Sequence, residues 1–436
     1  MTKIRNKAAQ TATALLDFIT RSPTPFQAVE QLSAELDAAG FEAVSTEQNW
    51  GDSPKGQRFY FTHNQSSLIA VSLQAPLEEG FRLIGAHTDS PCLKIKPNAV
   101  KISAEGMVQL GVEVYGGALL APWFDRDLSI AGRVSLVDKE GKLTARLIDF
   151  KNPIATIPSL AIHMNREANT KHTINKQKHL PPVLCQSDEL DFNSLILKQI
   201  KQQYGETYTE CLSFELSLYD TQAPAIIGLN EDYVASARLD NLLSSYIATQ
   251  AMLNHDSKTN CIVVLNDHEE VGSKSASGAA GPFLEAVIRR LCGSEESYQR
   301  AISKSMLISA DNAHAVHPNY SELHEPEHQP HINSGPVIKI NHNQRYASNS
   351  ETVGIFAQLC KQNEIPYQQF VVRSDLGCGS TIGPITATEL GVRTLDIGAP
   401  QLGMHSIREL AGVEDIGYLL NALTAFVNLD SLPDAS

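Results

Sequence analysis

Two hydrophobic rhythms run through the chain. In some segments apolar residues recur three or four apart; in others they alternate or form short unbroken runs. Ala28, Val29, Leu32 and Leu36 make one stripe, the spacing of a helix with a single buried face. That helix is predicted to open after Ser22-Pro23-Thr24-Pro25, capped by Ser22 or Thr24 with Pro25 just inside, and to end at Gly40. Another helix is predicted over 8–20, and short strands over 58–61, 67–71 and 81–86. From about 95 to 232 the rhythm changes to period two, at Val108, Leu110, Val112, Val114 and again at Ile130, Gly132, Val134, Leu136. Lys139-Glu140-Gly141-Lys142 reads as a turn between strands, 171–179 as an exposed polar loop and 191–204 as a helix. Hairpins rather than crossovers predict a β-rich insertion. Near 233 the alternating texture returns: a helix over 242–253, a buried strand over 261–266, a helix to about 291, strands over 305–310 and 336–340, and a closing helix over 413–428. The expectation is an α/β fold with a mostly parallel central sheet, formed by 1–94 and 233–436 and interrupted by 95–232.

The 261–266 run ends abruptly in Asp267-His268-Glu269-Glu270, then Val271-Gly272. In open α/β sheets, ligands gather just past the carboxyl ends of strands. Two adjacent glutamates there repel each other, so something positive must hold them. A solvated acidic loop is the plain alternative. Four other apolar runs end in similar groups: His87 with Asp89 two residues on, Asp240, Asp311, and His405. A carboxylate beside a ligating histidine commonly takes its second N–H. Taken singly, His87 reads first as a core histidine satisfied by a neighbour, and Asp240 equally as a helix N-cap. His163, alone in an apolar setting, reads by residue type as structural. Lys339 lies mid-strand, where an inward lysine is costly unless it meets an anion. The His- and Pro-rich stretch 324–331 reads as a loop lining or covering a site rather than as a metal tract.

Two histidines and several carboxylates, with no thiolate, suit a catalytic metal site with open positions. Six such groups exceed what one zinc needs. Two cations about 3.5–4 Å apart, bridged by a carboxylate and a water, would use them, and would bring the water's pKa towards about 7. A nearby carboxylate not bound to metal can then carry a proton to a leaving amine. The reaction class is metal-assisted hydrolysis, most naturally of an amide.

Composition narrows the partners. The 436 residues suffice for two domains, and 42% hydrophobic with 19% charged residues is ordinary for a globular protein. A net charge of −14 argues against general binding to nucleic acid or anionic membranes. Seven cysteines without a CxxC pair read as free thiols in a reducing compartment. The N-terminal apolar stretch is too interrupted for a signal sequence, and no run approaches the ~20 apolar residues of a membrane span. The expected location is the cytoplasm.

The chain resembles the aspartyl aminopeptidase family of dinuclear zinc exopeptidases nearly end to end. The resemblance is carried by Ser22-Pro23-Thr24-Pro25-Phe26, Gly85-Ala86-His87-Thr88-Asp89-Ser90-Pro91, Ala237-Arg238-Leu239-Asp240-Asn241, His268-Glu269-Glu270-Val271-Gly272-Ser273, Ser309-Ala310-Asp311, Gln344-Arg345-Tyr346-Ala347, Cys378-Gly379-Ser380-Thr381-Ile382-Gly383-Pro384 and Met404-His405-Ser406-Ile407-Arg408-Glu409. It implies a zinc-exopeptidase-like catalytic domain and an inserted dimerisation domain. It implies that His87 and Asp311 hold one zinc, Glu270 and His405 the other, and that Asp240 bridges them. Glu269 would be the general base and Asp89 would orient His87. His163 would enter the partner subunit's active site, reversing the reading from residue type. Lys339 and Tyr346 would line the substrate pocket and favour acidic N-terminal residues. The implied assembly is a homodimer building to a dodecamer, acting on peptides. Cobalt or manganese would also suit these ligands. A deacylase or carboxypeptidase on the same core is the competing activity. A metal-binding scaffold without catalysis is a third reading, against which Glu269 speaks.

Overall fold

A computed structural model describes residues 2–50, 57–171, 173–205 and 207–433. The chain divides into two compact units. One comprises Met1–Asp89, Pro224–Met404 and Glu409–Ser436; the other comprises Ser90–Ala223 and His405–Arg408.

The first unit is built on a nine-stranded sheet. Its order is Glu42–Ala43, Arg58–His63, Ser67–Leu73, Asn260–Asn266, Phe81–His87, Met306–Ala310, Arg393–Gly398, Val337–Ile340, Gln368–Val371. Among the described residues five of its eight pairings are parallel, including the three that join Asn260–Asn266, Phe81–His87, Met306–Ala310 and Arg393–Gly398. These strands are unbroken apolar runs because both faces are covered. Ile84, Ala86, Val263, Leu265 and Ile308 face one way, into a core shared with the helices Thr2–Thr20, Pro25–Ala38, Leu239–Leu253, Ser350–Gln362 and Val413–Val427. Leu83, Ile262, Val264 and Leu307 face the other way, against Phe283–Cys292 and Glu295–Ser303. One residue's shift along a strand exchanges these faces. A second sheet of the same unit orders Ala225–Ile227, Tyr233–Ser236, Glu409–Gly412, Pro400–Leu402 and Ala313–His314.

Local details depart from the sequence expectations at three points. The first helix starts at Thr2, ahead of the expected residue 8. Thr24 has the extended backbone of an N-cap, but its hydroxyl bonds the Gln27 side chain rather than a backbone N–H; Pro25 opens the helix as expected. Asp240 is not an N-cap. It lies inside Leu239–Leu253 with non-helical φ/ψ, as does Asn241, and its own N–H donates to Glu409 Oε2 at 3.0 Å.

In the second unit, six strands form an antiparallel sheet ordered Leu143–Asp149, Leu128–Asp138, Tyr208–Asp220, Cys92–Ile102, Met107–Tyr115, Val183–Gln186. One face packs against the Phe192–Tyr204 helix, which buries Phe192, Ile196 and Ile200 with Leu110, Ile130, Val134 and Leu216. Asp191 caps this helix by accepting from the N–H of Asn193 and Ser194. Among the described residues no helix is long and apolar enough to cross a membrane.

Candidate metal centre

Three parallel strands deliver the first groups. Phe81–His87 ends in His87, Asn260–Asn266 leads into Glu269 and Glu270, and Met306–Ala310 leads into Asp311. The other two apolar runs that end in candidate groups belong to a different sheet. Asp240 follows Tyr233–Ser236 and His405 follows Pro400–Leu402, both in the five-stranded sheet. Strands of two to four residues carry no readable periodicity, so sequence could not separate the sheets.

His87 is 1% exposed. Its Nε2 lies 3.4 Å from Asp240 Oδ1 and 3.6 Å from Asp311 Oδ1. Donors held tetrahedrally about 2.0–2.1 Å from one zinc are about 3.3–3.4 Å apart, so these separations match the edges of a coordination shell. His87, Asp240 and Asp311 form one group of donors all within 4.8 Å of one another; His87, Glu269 and Glu270 form a second. On its other side, His87 Nδ1 meets Asp89, 3.0 Å from the backbone O and 3.4 Å from Oδ1. A donor bond there leaves Nε2 as the ligating nitrogen.

Asp89 has a role that sequence reasoning missed. Its Oδ1 accepts the N–H of Glu269 at 3.1 Å and its Oδ2 that of Glu270 at 3.0 Å. The turn it holds is tight: His268 sits at φ +62° and Gly272 at φ +96° around a short 3₁₀ segment, Glu269–Val271. Asp267 Oδ1 accepts the His268 N–H, and His268 Nδ1 meets Ser275 Oγ at 2.8 Å. Gly278 closes the loop behind them; a Cβ there would lie 2.2 Å from the Ser273 carbonyl oxygen. Glu409, which takes the Asp240 N–H, is likewise buried and also receives Gln401 Nε2 at 3.3 Å. Neither contact has a local sequence signal, since the partners are more than 160 residues apart.

The electrostatics call for a cation. Burial, with Asp311, Asp89 and Asp240 close by, pushes Glu269 up to about 7 against the pull of His87. Burial and Asp240 push Glu270 to about 11. Burial alone would lower His87, but Asp240, Asp311 and Asp89 outweigh it and hold the imidazole well above its ordinary range. Five carboxylates around one imidazole are costly in a low-dielectric site unless compensated, and divalent cations reverse that cost. The donor set therefore fits a zinc-type ion.

Lys339 points inward and meets an anion: Nζ lies 3.2 Å from Asp311 Oδ2 and 3.1 Å from the Asn312 carbonyl oxygen. It is 2% exposed and sits 5.3 Å from the centroid of the Tyr346 ring. Tyr346 lines a cavity of about 200 Å³ together with His314, Phe370, Arg373, Cys378 and Gly379. His324 and Glu325 line it too, so part of the His- and Pro-rich stretch borders this cavity. In the second unit, His405 (φ +67°) places Nδ1 3.2 Å from the Gly117 carbonyl oxygen. His163 lies on an exposed turn of that unit, so its apolar neighbours in sequence do not bury it.

Buried histidine and carboxylates at the carboxyl edge of a mostly parallel sheet, with no cysteine among them, define a metal-dependent hydrolase on an α/β scaffold. A family model described as aminopeptidase I zinc metalloprotease (M18) matches residues 18–427. The chain belongs to that family: it is a zinc metallo-aminopeptidase, a peptide hydrolase acting at N-termini. A probable M18 family aminopeptidase 2 of Pseudomonas putida is 55% identical over 97% of this chain and 99% of its own length. Among solved structures, that of an Ape4 and Nbr1 complex superposes with a TM-score of 0.94 at 37% identity, covering 97% of this chain and 86% of that one. An mApe1 dodecamer of Saccharomyces cerevisiae gives a TM-score of 0.83 at 29% identity, covering 96% of both chains.

Proposed function

We propose that the protein uses two zinc ions to remove N-terminal residues from peptides, with a preference for aspartate and glutamate. The observation that carries this reading is the group of five carboxylates around His87, of which Asp89, Asp240 and Asp311 are buried and Glu269 and Glu270 partly buried, with Lys339 as a buried cation beside Asp311. His87 and Asp311 would hold one ion, Glu270 and His405 the other, and Asp240 would be shared between them. When bound, such ions would supply Lewis-acid polarisation of the scissile carbonyl and a water made nucleophilic near neutral pH. Glu269 takes a proton from the attacking water on its carboxylate and returns it to the leaving amine nitrogen. Asp89 keeps His87 turned and holds the backbone of both glutamates. Lys339 reads the substrate's side-chain carboxylate beside Tyr346 through a charge-assisted hydrogen bond. His163 of the partner subunit completes the site in a homodimer. The dodecameric state of the yeast relative favours six such dimers per assembly. The second unit, Ser90–Ala223 with His405–Arg408, acts as the dimerisation domain in place of the 95–232 expected from sequence, and the first unit as the catalytic domain.

The test is a panel of aspartyl, glutamyl and leucyl amides, each with a free and an acetylated N-terminus. Cleavage confined to free amines, fastest for the acidic pair, is expected. Activity surviving acetylation would favour a deacylase or carboxypeptidase instead. In the same panel Lys339→Met should lower kcat/KM for acidic substrates by about 10- to 100-fold more than for leucine, the worth of one hydrogen bond to a charged group.

A further inference from the structure

Asp396 is a buried carboxylate outside the metal-binding groups, with no exposed surface. It stands on Arg393–Gly398, opposite Ser309 of Met306–Ala310. Its two oxygens are used separately. Oδ2 accepts the backbone N–H of Ala347 at 2.7 Å, and Oδ1 accepts the hydroxyl of Thr381 at 2.6 Å. Its own N–H donates to Ser348 Oγ at 3.0 Å. The Thr381 hydroxyl is itself a relay, since it caps the Ile382–Leu390 helix by accepting the Gly383 N–H at 3.3 Å. That helix start presses directly on the carboxylate. A Cβ at Gly383 would lie 2.3 Å and 2.4 Å from the two Asp396 oxygens, so glycine is the residue that fits.

The donors come from two irregular loops, and both loops wall the cavity. Ala347 follows Tyr346 in one; Thr381 follows Cys378, Gly379 and Ser380 in the other. Ser380 Oγ adds a link to the Arg345 carbonyl oxygen at 3.2 Å. Loop segments without strand pairing hold their spacing only through such contacts. A carboxylate suits this junction because it accepts from two sides with short charge-assisted bonds. An amide offers one acceptor and sets an NH₂ against the second donor.

We propose that Asp396 is a positioning residue: it fixes the distance between the Tyr346 wall and the Cys378-Gly379 wall, and so sets KM for the substrate's N-terminal side chain without touching it. This rests on the aminopeptidase reading of the site. Asp396→Asn, Thr381→Val and Thr381→Ser in the zinc-loaded full-length enzyme test it, using glutamyl and aspartyl p-nitroanilides with zinc content measured in parallel. Asp396→Asn should raise KM by about 10- to 100-fold, the loss of one charge-assisted bond, with kcat within about threefold and zinc unchanged. Thr381→Val should raise KM less, and Thr381→Ser, which keeps the hydroxyl, should restore the wild-type value. A mere loss of stability would lower the active fraction and therefore kcat, leaving KM alone. Wild-type KM in Asp396→Asn or Thr381→Val overturns the inference, as does a fall in kcat accompanied by loss of zinc. Should Asp396→Asn fail to fold, the valine–serine pair at 381 decides the matter. A wild-type enzyme inactive on every free-amine substrate would overturn the aminopeptidase reading and this inference together; an active one with indifferent variants overturns this inference alone.

Discussion

Asp89 shows how much one side chain can organise. Its carboxylate takes the N–H groups of Glu269 and Glu270 and lies 3.4 Å from His87 Nδ1, whose 3.0 Å partner is the Asp89 backbone oxygen. The two glutamates therefore leave their turn with a fixed backbone, which separates their side chains' tasks. Burial and Asp240 raise Glu270, and a cation bound beside it would reverse that shift. Burial raises Glu269 as well, and it is the carboxylate proposed to carry the proton. Glu269→Gln keeps the shape and removes the basic oxygen. It should retain zinc yet lose kcat by about 10²–10⁴-fold, the usual worth of a positioned general base. Metal content and turnover measured on one preparation check this; turnover at the wild-type rate would remove Glu269 from that role. The residues at strand ends were legible in sequence because an apolar run stopping at an ionisable group is a local signal. The grip of Asp89 on the glutamates and of Glu409 on Asp240 was not legible, because those contacts join residues 180 and 169 positions apart.

At the scale of elements, the central strands were readable and the short ones were not. Asn260–Asn266 and Phe81–His87 are buried at every position, and that uninterrupted burial is what an apolar run encodes. The five-stranded sheet contains strands of two to four residues, too brief to show a period. The start of the final helix illustrates a further unread contact. Asp415, in the first turn of Val413–Val427, is fully buried and accepts the N–H of Asn333 at 2.6 Å and of Gly335 at 2.9 Å. It thereby ties the 333–335 loop to the helix. Burial raises its pKa to about 7 against the lowering effect of those N–H groups. The native state thus keeps a proton that the unfolded chain has already released. Asp415's contribution to stability is complete below the ordinary value of 3.8 and is lost as pH rises through about 7. Relative to Asp415→Asn, the wild type should therefore lose up to about 1.4 kcal/mol of unfolding free energy per pH unit across that window. Denaturant unfolding of both proteins at several pH values measures it. A constant difference would mean that the carboxylate is ionised throughout.

For the whole molecule, the decisive question is whether one chain makes a complete site. The second unit carries His163 on an exposed turn flanked by Leu160, Ile162 and Met164, which are 57%, 47% and 77% exposed. Clustered large apolar residues at a surface mark a place where another protein sits. An interface between copies leaves no period of its own in a sequence. If His163 serves the partner's site, two inactive variants complement each other. In a heterodimer of His163→Ala with Glu269→Gln, one site receives both defects. The other combines an intact Glu269 with an intact His163 and is wild type. Random pairing of equal amounts makes half the dimers mixed, so about a quarter of all sites recover in a two-fold assembly that shares residues reciprocally. Co-expression, which avoids dependence on subunit exchange, followed by kcat per zinc-loaded subunit, gives the readout. Recovery near that fraction, with each variant inactive alone, assigns His163 to the neighbouring subunit. Activity no higher than the mean of the two variants, in preparations shown by differential tags to contain mixed dimers, would return His163 to a role within its own chain.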